Sequence, residues 1–277
     1  MKKNVLMAAG LALVGAIALG GATMRADDDG TPSGCSRLPS WSELKAALTT
    51  ARNAANGGLN LDMWGTVVNR DGIVCAVAFT GGNRGDQWPG SRVISAQKAN
   101  TANAFSLPGL SLSTANLYTA TQPGGSLFGL QLSNPVNTDA AYAGPASAFG
   151  TAGDPMVGRR IGGVNVFGGG LALYNSNHQI LGAVGVSGDT SCADHNIAYR
   201  TRRTLNLDYV PAGVAGGKRK DNIIFDITPQ GGGDIAPVAG QMPGVSASGF
   251  GHASCHGYNT AANATSAGFA AAVPENQ

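Results

Sequence analysis

The sequence predicts a mixed α and β domain. Three observations carry this: helical spacing of apolar residues after Ser40, two apolar runs meeting at Asp71-Gly72, and glycine-rich strands that lead into a helix-like stretch after residue 190. Together they give hairpins, whose strands run antiparallel, alternating with amphipathic helices.

The chain opens with Lys2 and Lys3 ahead of an apolar run from Val5 to about Leu19, then small residues up to Ala26. Residues 1–26 therefore read as a secretory signal peptide, and the protein is expected to be exported, to the periplasm or outside the cell. Residues 27–39 read as a linker. In "SWSELKAALTTARNAANGG", Ser40 and Glu43 have capping-box spacing. Leu44, Ala47, Leu48, Ala51 and Ala55 then share one helical face, and Asn56 to Gly58 supply the stop.

Next, "MWGTVVNRDGIVCAVAFT" places a hairpin turn at Arg70-Asp71-Gly72, because Asp-Gly accepts the positive φ of tight turns. Ile73, Cys75, Val77 and Phe79 face one side and Val74, Ala76 and Ala78 the other, so both faces of this strand should be covered. After a Gly-rich loop, Ser91 is placed to cap a helix with Ile94, Lys98, Thr101, Ala102 and Phe105 along one side. Its remaining side chains are mostly small, so a sheet, a neighbouring subunit or a ligand should approach it closely.

Residues 106–160 are weakly patterned, with one short helix around "TDAAYAGPASAFG". Residues 161–188 give two or three strands, with a hairpin at Asn175 to Gln179. A helix from Cys192 to about Leu205 follows, with Ile197, Tyr199 and Leu205 as buried positions. "NIIFDI" reads as a further strand, and the chain ends in a low-complexity tail expected to be mobile.

The formal net charge is +2. Loss of Lys2, Lys3 and Arg25 with the signal segment leaves 15 basic side chains against 16 acidic. That balance argues against a nucleic-acid partner, whose affinity comes chiefly from phosphate neutralisation. No stretch after the signal segment is long and apolar enough to span a membrane. Cys35, Cys75, Cys192 and Cys255 suit two structural disulfides in an exported protein, with three pairings open.

"LGAVGVSGDTSCADHNIA" gathers Ser187, Asp189, Cys192, Asp194 and His195. A serine-hydrolase elbow fails because Asp189 stands where the second glycine of Gly-x-Ser-x-Gly belongs. A dinucleotide fingerprint fails because Gly182, Gly185 and Gly188 are evenly spaced and no strand-helix-strand unit follows. Those glycines instead let the strand lie close to neighbouring backbone. Free amides opening the following helix are a possible anion site, but Asp189 or Asp194 is the expected occupant, as a helix cap. Metal binding by His195, His252 and His256 lacks a third ligand at fixed spacing, so His252 and His256 read as surface or loop histidines and His178 as a turn residue. Asp194 and His195 are the one compact acid-base pair an enzyme would have.

The succession of the first helix, "GTVVNRDGIVCAVAFTGG", "NRGD", "SAQKANTANAF", "GGVNV" and "GAVGVSGDTSCADHNIA" resembles the haem-degrading or GlcG-like family, which includes extracellular haem-binding proteins. The similarity spans about Ser40 to Leu205. Its strongest pieces are Lys98-Ala99-x-Thr101-Ala102, the Gly185-Val186-Ser187-Gly188 turn and Asp194; Arg84 and Asp86 resemble the family's Arg-x-Asp element.

The resemblance implies an α+β fold, an antiparallel sheet flanked by helices, assembled as a homo-oligomer, with haem or another tetrapyrrole as ligand. It implies Arg84, Asp86, Lys98, Thr101, Ser187, Asp194 and His195 as ligand-binding residues, with Arg84 and Lys98 meeting propionates. Axial-ligand candidates are His178, His195, Tyr142 and Met156. A non-catalytic scaffold, or an enzyme acting on small oxygenated acids, are the alternatives. The chain departs from shorter members in its 106–160 insertion, its cysteines and its extension, so a family-like domain is expected over 40–210 and an extension over 211–277. With Cys192 in the family turn and Cys255 in the extension, a bond between them would fasten the tail over the turn, leaving Cys35 for Cys75.

Overall fold

The structure, a computed structural model, describes Pro32 and residues 34–217, 219–227 and 244–255. The expected signal segment, the first part of the expected linker, His256 and the low-complexity tail lie outside the described residues.

The fold is α+β. Four antiparallel strands form one sheet in the order β2-β1-β4-β3: β1 (Trp64–Asn69), β2 (Val74–Phe79), β3 (Gly170–Tyr174) and β4 (Ile180–Ser187). Each pair of sequential strands is a hairpin. In the first, Asn69 Oδ1 accepts the amides of Asp71 (2.9 Å) and Ile73 (3.0 Å), and Gly72 takes φ +73°. In the second, Asn175 Oδ1 accepts those of Asn177 and Gln179, both at 3.0 Å.

Both faces of the sheet are covered. On one side lie α1 (Trp41–Arg52) and α6 (Ser191–Thr204), whose Leu44, Leu48, Ile197 and Tyr199 pack with Val67, Leu171 and Val184. The expected capping box starts α1, with Ser40 N–H donating to Glu43 Oε2 (2.8 Å) and Glu43 N–H to Ser40 Oγ (3.4 Å). On the other side α2 (Ser91–Ala104) lays Val93, Ala96, Ala99 and Ala102 against Val68, Val77 and Ala183. The small residues of α2 thus answer to the sheet. A Cβ on Gly185 would collide with the Ser95 carbonyl oxygen and the Ala99 nitrogen, so the glycine of β4 sets how near the helix backbone comes.

Three local expectations need correction. Ser91 is the first residue of α2 rather than its cap; Gly90 holds that place without a side-chain bond. Thr190 caps α6, because the Asp189 and Asp194 carboxylates are drawn elsewhere. Residues 161–188 give two strands, β3 and β4, within the two or three expected. "NIIFDI" is irregular, with one bridge from Ile227 to Ser246.

The 106–160 insertion contains single-turn helices α3 (Tyr118–Thr121), α4 (Leu130–Ser133) and α5 (Thr138–Ala141), the last inside the predicted helical segment. A buried ion pair ties it to α2: Arg92 grips Asp154 through Nε (2.9 Å) and Nη2 (2.5 Å) and donates to Ala141 O (2.8 Å). The extension is held likewise, since Arg202 of α6 binds both oxygens of Asp221 at 2.6 and 2.8 Å. Cys35 is bonded to Cys75 and Cys192 to Cys255, with Cα atoms 5.6 and 6.1 Å apart.

Candidate functional site

The end of β4 meets the middle of α2 and the first turn of α6. Because Gly185 lets α2 settle onto the sheet, the Lys98 side chain runs beneath the β4–α6 turn. There its Nζ donates to Asp194 Oδ2 at 2.7 Å and to Val186 O at 3.1 Å. Both side chains are buried, 2% and 3% exposed. The other Asp194 oxygen accepts the Asp189 amide at 2.8 Å, so the turn and the ion pair form one unit. Asp189 in turn accepts the amides of Leu59 (2.8 Å) and Leu61 (3.0 Å), fastening the segment before β1.

Burial pushes the Asp194 carboxyl up to about 6, against the pull of the adjacent Lys98 charge and its hydrogen bond. Ser187 is buried beside this unit, donating to Ser91 Oγ at 3.2 Å. Thr101, one turn beyond Lys98, donates to Gln97 O (2.8 Å) and accepts the Asn165 amide (2.9 Å). Lys98 and Asp194 thus meet at the turn, with Ser187 next to Val186 at the end of β4, whereas Thr101 is engaged with Asn165. Arg84 and Asp86 sit on the exposed loop leading to α2, where Asp86 accepts the backbone and side-chain amides of Asn83.

His195 follows Asp194 but faces the extension. Its Nε2 accepts the Ile223 amide at 3.1 Å and lies 3.2 Å from Asn222 Oδ1, while Nδ1 is buried with no hydrogen-bond partner among the described residues. Burial drives its pKa down to about 3, so the ring is neutral. Of the other axial candidates, Met156 lies in the core, whereas Tyr142 and His178 are exposed, with His178 Nδ1 2.9 Å from Tyr209 O.

His252 lies in an irregular segment, one of the two placements expected, but it is buried. Far from being a surface histidine, it is 3% exposed and tilted against the Tyr118 ring, centroids 4.7 Å apart. Its Nδ1 lies 2.7 Å from Ala253 O, which assigns the ring proton to that nitrogen. Nε2 then accepts long hydrogen bonds from Gly168 N (3.4 Å) and Ser191 Oγ (3.3 Å). Burial lowers its pKa to about 4, and the Lys98 charge acts in the same direction. The available signal was Cys255, three residues on, whose bond to Cys192 brings this segment to α6.

A small α+β domain with a lysine-bearing helix docked on a glycine-rich strand-to-helix turn is the class that fold and site define. Residues 40–202 match the family described as haem degrading protein HbpS-like, which is more than half of the chain, and the chain belongs to that family. The extension holding His252 and Cys255 lies beyond the match. No curated protein matches the chain.

Among solved structures, the chain is similar to one described as a PduOC:heme complex, with 21% identity and a TM-score of 0.43 over 61% of this chain and 94% of that one. It is similar to the Klebsiella pneumoniae protein ORFY, at 26% identity and TM-score 0.40, covering 60% and 90%. A double mutant of Streptomyces reticuli HbpS gives 14% and 0.38, covering 72% and 99%.

Proposed function

We propose that this chain is an exported binding protein for haem or a related tetrapyrrole, working as a homo-oligomer in sensing or scavenging. The observation that carries the reading is the convergence of Lys98, Ser187 and Asp194 at the β4–α6 turn in a member of a haem-associated family. Lys98 is already paired, so a propionate reaches it only by replacing the Asp194 carboxylate. The raised pKa of Asp194 lowers the cost of that exchange, because the displaced group can leave as a neutral acid.

The residues present fit the ligand's chemistry. His252 is neutral, its Nε2 is an acceptor held by long bonds, and a backbone carbonyl fixes the other nitrogen, the arrangement favoured in iron-binding imidazoles. His252 would hold iron, and Lys98 with Arg84 would meet the propionates. Bound haem would supply the iron chemistry; the chain's part is to bind and orient it. A second reading, a non-catalytic assembly protein, draws support from the complete internal pairing of Lys98.

Titrating purified protein with haemin separates the two. Saturable change in the haem absorption band, weakened at least about tenfold in Lys98→Met, supports haem binding through charge-assisted contacts. A spectrum that never saturates favours the assembly reading.

A further inference from the structure

Residues 244–255 lie across the start of α6 as a strap. Besides the disulfide, polar contacts hold it there, among them Ser248 N–H to Asp226 Oδ2 at 2.7 Å and the Ile227–Ser246 bridge. Thr119 Oγ1 donates to Gly251 O at 2.5 Å, His252 N–H to Ile224 O at 2.7 Å, and Ser246 Oγ to Asp226 Oδ1 at 2.7 Å. The apolar contribution is small, since the cluster beneath consists of Ala115, Cys192, Ile223, Phe225 and Cys255. The strap nevertheless carries His252 onto Gly168 and Ser191, and Gly168-Gly169 is the layer directly over the Lys98–Asp194 pair. A Cβ on Gly169 would come within 3.1 Å of both Lys98 Nζ and Asp194 Cβ.

The two sulfurs differ in access and surroundings. Cys192 is 1% exposed, whereas Cys255 is half-buried. The Cys192 amide donates to Cys255 Sγ at 3.2 Å, and Ser191 Oγ lies 3.6 Å from the same sulfur. The free amide at the start of α6 thus faces Cys255 Sγ, whereas Cys192 Sγ is buried and lies 3.9 Å from Ala253 O.

We propose that the Cys192–Cys255 bond is a redox-sensitive clasp whose reduction releases the strap and withdraws His252 from the β4–α6 turn. The thiolate of an external dithiol attacks the accessible Cys255 sulfur, and Cys192 leaves as a thiolate that takes up a proton. The second thiol of the dithiol then attacks the mixed disulfide and frees Cys255. Two electrons and two protons pass to the protein, and the dithiol becomes a disulfide. Any effect of release on haem depends on the reading above; the release itself does not.

The test is hydrogen exchange of the full chain, oxidised and after graded treatment with a phosphine reductant, beside Cys192→Ser/Cys255→Ser, which keeps Cys35–Cys75. Alkylation and peptide mapping report which bond opens. The clasp predicts that Cys192–Cys255 opens first. It also predicts that amides of 244–255 and 168–170 exchange at least about tenfold faster, in the reduced protein and the double variant, while β1 and β2 keep their protection. Opening of Cys35–Cys75 first, an unchanged strap, or loss of protection throughout the sheet each overturns the proposal.

Discussion

Replacing Lys98 by methionine should give a stability loss that grows with pH. In the native protein, folding moves Asp194 from its ordinary value of 3.8 to about 6. The folded state therefore binds a proton that the unfolded state has released, and the Asp194 contribution to stability falls as pH rises from about 4 to about 6, then no further.

In Lys98→Met the two effects of Lys98 that lower this pKa disappear, so the folded value rises further. Above pH 6 the variant keeps losing about 1.4 kcal/mol per pH unit while the native protein does not. Methionine fills much of the volume of the lysine stem, so the difference should be small at pH 5 and grow with pH, to at most about 1 kcal/mol at pH 7 and about 3 kcal/mol at pH 8.

Asp194→Asn removes the titrating carboxyl, so its cost relative to the native protein should fall by about 1.4 kcal/mol between pH 5 and 8, as the native protein alone gives up the Asp194 contribution. Urea denaturation of both variants and the native protein at pH 5, 7 and 8 measures these differences, provided the m values agree. Equal losses for Lys98→Met at pH 5 and 8 would refute the buried-pair reasoning.

Gly185→Ala should destabilise by about 3 kcal/mol or more, since its methyl meets backbone of α2 that has no free direction to move. Gly109→Ala, with open space around it, should stay within about 0.5 kcal/mol on the same thermal melts, and comparable losses at the two sites would contradict the close approach. Acid should also weaken the fold. His195 and His252, lowered to about 3 and 4, refuse protons that the unfolded chain accepts near 6.5, so their contribution is lost as pH falls, and Asp194 offsets one of the two. From these three groups a net loss of about 1.4 kcal/mol per pH unit is expected between pH 6 and 4, and His252→Asn should roughly abolish that slope in denaturation midpoints.

The elements that sequence made legible are those with a local physical cause. The capping box at Ser40 and Glu43, the Asp71-Gly72 turn and the covered faces of β2 all follow from neighbouring residues. The same holds for the close approach allowed by Gly185. Ser91 failed as a cap because the helix starts one residue earlier than its hydroxyl suggested, and Asp194 failed because a lysine 96 positions away claims its carboxylate.

Long-range pairing of this kind leaves no periodic trace. Arg92–Asp154 and Arg202–Asp221 were invisible for the same reason, although they decide where the insertion and the extension sit. Within the site, spacing could place Lys98 on a helix and Ser187 on a turn. It could not say that Lys98 would be spent on Asp194, or that a C-terminal histidine would close over the junction.

Haem binding to this particular chain is the central claim, and native mass spectrometry of protein recovered from its own host tests it most directly. The account predicts an oligomer that retains a tetrapyrrole mass on its subunits, or acquires one when haemin is added in slight excess. Subunits that stay at the mass of the bare polypeptide under both conditions would contradict it.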